Sequence, residues 1–557
     1  MDRIQLSGVE WRCREGATAI LCELPWTRLR RPRELPPNSV AKDNRLRTVA
    51  RLDNPREPRQ PGYYVKRHKF ARTRGQAKHL LVPWRLRREW MLARRLRAEG
   101  VPTPRPIAYG ERWRGLLPRE AFYITREIPE TVSLKERLTG GAADERGERS
   151  ALERAAWLTA ELGNHGLYHL DYHAENILLR PSAPDRTPYI MDLHDLRRGC
   201  VTKARMRRML AMMANSLGLP RTDGELWHRF MRALLTRWDA AGEPTDEDVR
   251  RWCETVERRG RRLKRRHLRS RTRRCIKEST TYTSDSTEDF HIYRRRDFPV
   301  ETALRMVEKH RRAGQDPDSP GKVLKSQRRG TISLVSCRAV PRLSAHRPCP
   351  PQERTPGKVC VKAFRAWSLW KRLKDCLRPR SRAVRAWMAL QGFAVRDLPA
   401  PRPLAVLERR HTLTAERDYL VMEVIGNGEN LRDVVTRSPS ADERRELAAR
   451  VAEMLSRLDR ADVYHPDLKP SNFLVWREDG RFRIAIADMS RVSFESPCGR
   501  KRWVRWLYQL NRQMPPEITL LDRLRCLRAC NAGRWSKAEE SCIAREVLKK
   551  TRERRRG

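Results

Sequence analysis

Residues 168–179 of this chain return, altered but in register, at 464–475: His169, Asp171 and Asn176 of the first stretch stand opposite His465, Asp467 and Asn472 of the second. Each stretch runs on into apolar residues that end in an aspartate, Asp192 and Asp488. Lys66 and Lys362, and Glu127 and Glu423, complete the set, and every pair is separated by the same 296 positions. Unrelated segments do not hold one register across so many polar landmarks, so the chain is a tandem duplication. Whatever one copy folds into, the other must fold into as well.

The 557 residues leave room for two domains of ordinary size. The expected division is 1–268 and 269–557, with a linker around 258–320. Residues 258–274 are densely basic, 279–289 are rich in Ser and Thr, and 315–321 carry turn formers. Periodicity leaves open which copy owns 275–320. Hydrophobic residues at 39%, with 16 Trp, suffice for packed cores and exclude a wholly disordered chain.

Charge and cysteine usage narrow the setting. The 120 basic residues outnumber 69 acidic ones for a formal charge of +51, a balance that attracts anionic partners. The basic run at 258–274 lacks interleaved base-stacking aromatics, which argues against nucleic acid. The 13 cysteines form no CxxC pair, so neither a zinc ribbon nor a disulfide framework is expected. No signal pattern opens the chain, and no apolar run approaches the roughly 18 residues of a membrane span. These features together predict a reduced, cytoplasmic protein without a transmembrane segment, meeting a membrane only at its surface.

The chemistry lies in the order of the repeated residues. Alternation predicts two antiparallel strands at 48–52 and 63–66, the second ending in Lys66. An Arg-rich amphipathic helix over 84–98 follows, with one inward-capable acid, Glu89, and then Pro-x-Pro-x-Pro punctuation at 102–106, echoed at 399–403. Strand lysine, helix glutamate, hinge glutamate, His-x-Asp-x4-Asn and a later Asp is the layout of the protein-kinase fold. The predicted fold class is therefore α+β: two bilobal domains in tandem, each with a small antiparallel-sheet lobe and a mainly helical lobe. Phosphoryl transfer needs a cation on the α- and β-phosphates, a base beside the attacking hydroxyl, and hard oxygen ligands for Mg²⁺. His169 and His465 are expected to brace the catalytic loop. Two apolar stripes, Met206/Met209/Leu210/Met213/Leu217 and Trp503/Trp506/Leu507/Leu510, are expected in the cores.

At these residues the chain resembles the lipopolysaccharide kinase family, the Kdo and heptose kinases. The likeness rests on Arg87-Arg88-Glu89-Trp90, the following Val101-Pro102-Thr103-Pro104-Arg105-Pro106, and Met191-Asp192-Leu193-His194 in place of Asp-Phe-Gly. It spans about residues 38–240 and 320–535. The resemblance implies an ATP- and Mg²⁺-dependent kinase whose acceptor is a hydroxyl of a lipopolysaccharide inner-core sugar or similar anionic glycolipid. It implies Asp171 and Asp467 as catalytic bases, and Lys66, Glu89, Glu127, Lys362, Glu423 and Lys469 on the nucleotide. Asn176, Asp192, Asn472 and Asp488 would hold the metal. Neither copy has a Gly-x-Gly-x-x-Gly loop; each has Lys-x-x-Arg-x-x-Thr instead (Lys42, Arg45, Thr48; Lys325, Arg328, Thr331). Copy two departs further, because Trp387 aligned with Trp90 puts Ala386 at the place of Glu89, and the uniform register would put Arg385 there. Its Asp467-Leu468-Lys469-Pro470 resembles a serine/threonine protein kinase. That activity, and a binding scaffold with one or both copies catalytically dead, are the alternatives.

Overall fold

The computed structural model describes residues 2–43, 46–70, 85–115, 117–140, 145–181, 187–218, 224–313, 321–327, 330–337, 354–365, 379–409, 416–426, 428–495, 498–531 and 533–556. The chain divides into two compact units, Met1–Lys264 and Arg265–Gly557. Each carries one seven-stranded antiparallel sheet and a helical lobe, and the two sheets have the same strand order.

In the first unit the order across the sheet is Asp2–Leu6, Val9–Cys13, Pro106–Arg114, Leu117–Arg126, Tyr63–Lys69, Arg47–Leu52 and Val40–Asp43. In the second it is Tyr282–Ser286, His291–Arg295, Pro403–Glu408, Glu416–Ile425, Arg354–Arg365, Gly330–Ser336 and Gly321–Gln327. The lysine strand is internal in both. Lys66 lies opposite Val49 on one side and Tyr123 on the other; Lys362 lies between Ile332 and Leu420. A strand bonded along both edges fixes the lysine's Cα, so only its side-chain torsions remain to be set.

The N-terminal hairpin lies inside the expected domain 1–268 but outside the span of the family resemblance, about 38–240. Val9, Trp11 and Cys13 alternate inward. Trp11 packs edge-on to Trp26 at 4.8 Å between ring centroids, and both meet Phe122. The second unit has its own hairpin in the matching place, followed by the helix Val300–Arg312. Much of the span expected as a linker, 258–320, is regular structure, and residues 314–320 lie outside the described residues. Residues up to 272 belong to the helix Asp246–Thr272, and 282–312 supply two strands and a helix of the second unit. The division between units falls inside that helix. Its early turns bury Val249, Trp252, Cys253 and Val256 at helical spacing, which carries the chain as helix into the arginine run.

The helix Arg85–Ala98 buries Leu86, Glu89, Trp90, Ala93 and Leu96, so the single acid sits within an apolar stripe. Its counterpart Arg382–Val395 has the same 14-residue length and buries Ala383, Val384, Ala386, Trp387 and Leu390 among others. Both tryptophans anchor their helix to the sheet side: Trp90 stacks on Tyr109, and Trp387 meets Tyr282 edge-on while its Nε1 donates to the Cys275 carbonyl at 3.0 Å. With the tryptophans equivalent, Ala386 is the counterpart of Glu89. The helical lobes are built on Glu145–Asn164 and Lys203–Leu217 in one unit, Ala441–Arg460 and Arg500–Arg512 in the other. The Met and Trp stripes of Lys203–Leu217 and Arg500–Arg512 are buried in these cores.

Candidate active site

In each copy the His-x-Asp-x4-Asn loop is tied to the later aspartate by one histidine. Asp171 N–H donates to His169 Nδ1 at 3.1 Å, so Nδ1 carries no proton. Nε2 must then carry it, and it donates to the Asp192 carbonyl at 3.2 Å. Copy two repeats this with His465, Asp467 and Asp488 at 3.2 and 3.1 Å. Burial pushes both imidazoles below their ordinary pKa, only partly opposed by the Asp192 and Asp488 carbonyl contacts and nearby carboxylates, which suits a neutral brace.

The loop also positions its asparagine. Asn176 Nδ2 donates to the Asp171 carbonyl at 3.0 Å and Asn472 Nδ2 to the Asp467 carbonyl at 2.7 Å. Each bond commits the amide nitrogen and leaves Oδ1 as the atom that could hold a metal ion. Asp192 and Asp488 both adopt left-handed backbone, with φ of 56° and 57°, a cost accepted where a site demands a particular side-chain direction. A carboxylate and an amide oxygen in this arrangement are the hard donors that Mg²⁺ takes, so the residues fit that ion.

The two copies differ at the lysine. In copy one Lys66 Nζ is bonded to Glu89 Oε1 and lies 3.9 Å from Asp192 Oδ1. In copy two, with alanine at the helix position, Lys362 Nζ pairs directly with Asp488 Oδ1 at 2.7 Å. Where the helix acid is absent, the ammonium sits on the carboxylate that corresponds to Asp192. Around Asp192 stand two residues that the motif reading did not single out for the site, Arg47 at 3.3 Å and His194 Nδ1 at 3.2 Å; Ser490 takes the place of His194 in copy two, donating to Asp488 at 3.1 Å. Burial by itself would raise the Asp192 carboxyl. The His194 hydrogen bond and the charges of Lys66, His194 and Arg47 overcome that and hold it well below the usual carboxylate range. Asp488 is held low against the same burial by Lys362, with Ser490 and His465 contributing.

Asp171 has a half-exposed side chain, at 53%, open to an acceptor, and His173 Nε2 lies 2.7 Å from its Oδ1. Lys469, in the same register, sits 3.3 Å from Asp467 Oδ2, so it meets the carboxylate expected to be the base of copy two. Glu127 follows the strand Leu117–Arg126, but its carboxylate accepts from Gly62 N–H and Arg51 Nε, both at 2.6 Å. It therefore clamps strand ends. Glu423 N–H donates to the Arg402 carbonyl, with the Arg402 guanidinium 3.7 Å from its carboxylate. In the Lys-x-x-Arg-x-x-Thr segments Thr48 donates to Asp43, Thr331 contacts His310, and Lys42 and Lys325 lie on exposed edge strands. Arg45 and Arg328 lie outside the described residues. The signal that could have found His173 is its pairing with Lys469 in the repeat. Arg47 carried none, because its copy-two neighbour in register is Gly330.

A model of the lipopolysaccharide kinase (Kdo/WaaP) family matches the chain twice, over residues 39–234 and 359–529. The chain belongs to this family. The lipopolysaccharide core heptose(I) kinase WaaP of Pseudomonas aeruginosa is 30% identical over 191 residues, covering 32% of this chain and 70% of that protein. WaaP of Escherichia coli is 27% identical over 189 residues, 31% of this chain and 70% of its own. A solved structure of WaaP in complex with acyl carrier protein is 22% identical, covers 45% of this chain and 98% of that one, and has a TM-score of 0.33. As a member of this kinase family the protein is an ATP-dependent phosphotransferase. Among the described residues no helix is long and apolar enough to cross a membrane.

Proposed function

We propose that the protein transfers the γ-phosphate of ATP, with Mg²⁺, to a hydroxyl of a lipopolysaccharide inner-core sugar or a closely similar anionic glycolipid, and that copy one does the chemistry. The observation that carries this reading is the Lys66–Glu89 pair beside Asp192, which copy two replaces with Lys362–Asp488. A lysine held by a helix carboxylate presents its ammonium to phosphate, while one drawn onto the metal-binding aspartate is spent there.

In the proposed reaction Asp171 orients the acceptor hydroxyl and takes its proton as the oxygen attacks the γ-phosphorus. The bond from that phosphorus to the bridging oxygen breaks, and ADP leaves with the electron pair. Lys66 neutralises charge on the α- and β-phosphates. Mg²⁺, when held by Asn176 and Asp192, supplies electrostatic stabilisation of the phosphate oxygens. His173, on Asp171 Oδ1, keeps that carboxylate in one orientation. The acceptor class follows from the relatives' names and from the charge of +51, which complements an anionic glycolipid presented at a membrane face.

A second reading, a serine/threonine protein kinase, is favoured only by Lys469 beside Asp467 in copy two. Both are tested by incubating the full chain with γ-labelled ATP and either lipopolysaccharide cores or a generic protein acceptor. Label on the glycolipid, lost in Asp171→Asn by about 10²- to 10⁴-fold and kept in Asp467→Asn, is the expected result. Label on protein alone refutes the glycolipid reading. Turnover unchanged in the Asp171→Asn, Asp467→Asn double variant refutes both bases.

A further inference from the structure

Copy two differs from copy one at a second place, behind the helix Arg382–Val395. A cleft of about 380 Å³ opens there, and six arginines line it: Arg269, Arg273, Arg380, Arg385, Arg396 and Arg491. Among its lining residues Glu495 is the one acid, and it is paired with Arg269 at 2.8 Å. The far wall is the segment that directly follows Asp488, from Met489 to Glu495. The volume is in the range of a small-molecule site, and what lines it is cation.

Copy one shows how this charge arose. Arg396 follows the end of its helix as Glu99 follows the end of Arg85–Ala98, and Arg491 closes the short turn after Asp488 as Asp195 closes the one after Asp192. In copy one these acids neutralise their surroundings: Glu99 pairs with Arg95 and Arg198 at 2.9 and 2.7 Å, and Asp195 lies 3.1 Å from His194. Copy two reverses both charges; it has Glu495 and Asp462 where copy one has Gly199 and Gly166, but Glu495 is paired with Arg269 at 2.8 Å and Asp462 lies 3.6 Å from Arg265, so six arginines still face one lining acid. Arg396 is left partly desolvated, stacked on Phe494 at 4.3 Å, and its buried Nε meets no acceptor among the described residues. Burial pushes its guanidinium down to about 10, a fall only partly opposed by Glu495 and Asp462. Several guanidinium groups gathered around one cleft repel one another. An anion with several oxygens relieves that repulsion and takes the forked hydrogen bonds that arginine offers.

We propose that this cleft of copy two is a binding site for a phosphate-bearing anion, a phosphomonoester or diphosphate group, distinct from the nucleotide site. Such a group joins the helix that lacks Glu89's counterpart to the segment that follows Asp488. The chemistry is shared by a soluble phosphate ester and a lipid phosphate headgroup, so the test carries an arm for each.

The full chain is first saturated with adenylyl imidodiphosphate and Mg²⁺ to occupy the nucleotide sites. Inorganic pyrophosphate is then titrated calorimetrically, and in parallel the chain is sedimented with phosphatidic-acid vesicles and phosphatidylcholine vesicles at equal salt. Two variants carry the residues of copy one: Arg491→Asp alone, which changes an exposed side chain, and Arg396→Glu with Arg491→Asp, whose fold is checked by thermal melting. The expected result is uptake weakened at least about tenfold by Arg491→Asp and abolished in the folded double variant. Variant-sensitive uptake of pyrophosphate identifies a soluble ester, and variant-sensitive binding confined to phosphatidic acid identifies a headgroup. Absence of uptake by the parent in both arms, or binding unchanged in both variants, overturns the proposal.

Discussion

Glu89→Gln in copy one isolates the difference between the copies. Glutamine keeps the shape and a hydrogen-bonding oxygen but removes the charge from a side chain only 4% exposed, opposite a lysine 10% exposed. Removing one partner of a buried ion pair typically costs about 3–5 kcal/mol. Here Asp192 Oδ1 stands 3.9 Å from the ammonium and takes over part of the compensation. A pair at that distance is worth on the order of 4 kcal/mol at an effective dielectric of 20. Since some of this attraction already operates in the parent, the net loss of stability should be about 1–3 kcal/mol. The lysine should close on Asp192, as Lys362 has closed to 2.7 Å on Asp488. That withdraws a cation from the phosphates in the transition state, at a cost of about 10²- to 10³-fold in kcat, with a smaller change in the KM for ATP. The assay is steady-state turnover of the full chain carrying Asp467→Asn, so that only copy one reports, alongside urea unfolding. A kcat within about twofold of that parent, with an unchanged unfolding midpoint, would refute the assignment of Glu89.

The converse substitution, Ala386→Glu with copy one silenced by Asp171→Asn, should draw Lys362 off Asp488 and raise the turnover of copy two. No gain would show that the missing acid is irrelevant. For pH, Asp192 has a folded-state pKa below its unfolded value of about 3.9. Its contribution to stability is complete above that value and is lost as pH falls through the folded pKa. Urea midpoints between pH 6 and about 3 should therefore fall less steeply in Asp192→Asn than in the parent, and parallel slopes would contradict the direction of the shift. Vesicles with acidic headgroups should hold the protein at low salt and release it as the screening length shrinks from about 10 Å at 0.1 M towards 3 Å at 1 M. Equal binding to neutral vesicles would remove the membrane-surface reading.

Much of the site was legible because one tight loop carries it. His169, Asp171 and Asn176 lie within eight positions of one another, and Asp192 follows at a spacing that both copies keep. The chemistry fixes residue types there and the chain fixes their order, so pattern alone brings them together. The hairpins Asp2–Leu6/Val9–Cys13 and Tyr282–Ser286/His291–Arg295 were not legible, since their sequences do not visibly repeat and only pairing with the strands Pro106–Arg114 and Pro403–Glu408 makes them equivalent. The run at 258–274 misled for a related reason. Charge density looks like a solvated linker, whereas four buried residues in the early turns of Asp246–Thr272 fix it as helix.

The sequence by itself determined the duplication, the kinase-type order of polar landmarks and the absence of an acid at Ala386. Those are facts of register, and register survives in one dimension. Only the tertiary structure decided what that missing acid does. Whether Lys362 waits for a nucleotide or closes on Asp488 is a matter of ångströms between residues 126 positions apart. It is set by a strand held along both edges and a helix anchored by Trp387. The same holds for the arginines behind that helix. Each is an ordinary surface residue in the sequence, and they become a single electrostatic feature only where the fold gathers segments from 269–273, 380–396 and 489–495 around one cleft. Charge interactions fall off with distance in space, and the separation of residues along the chain does not report that distance.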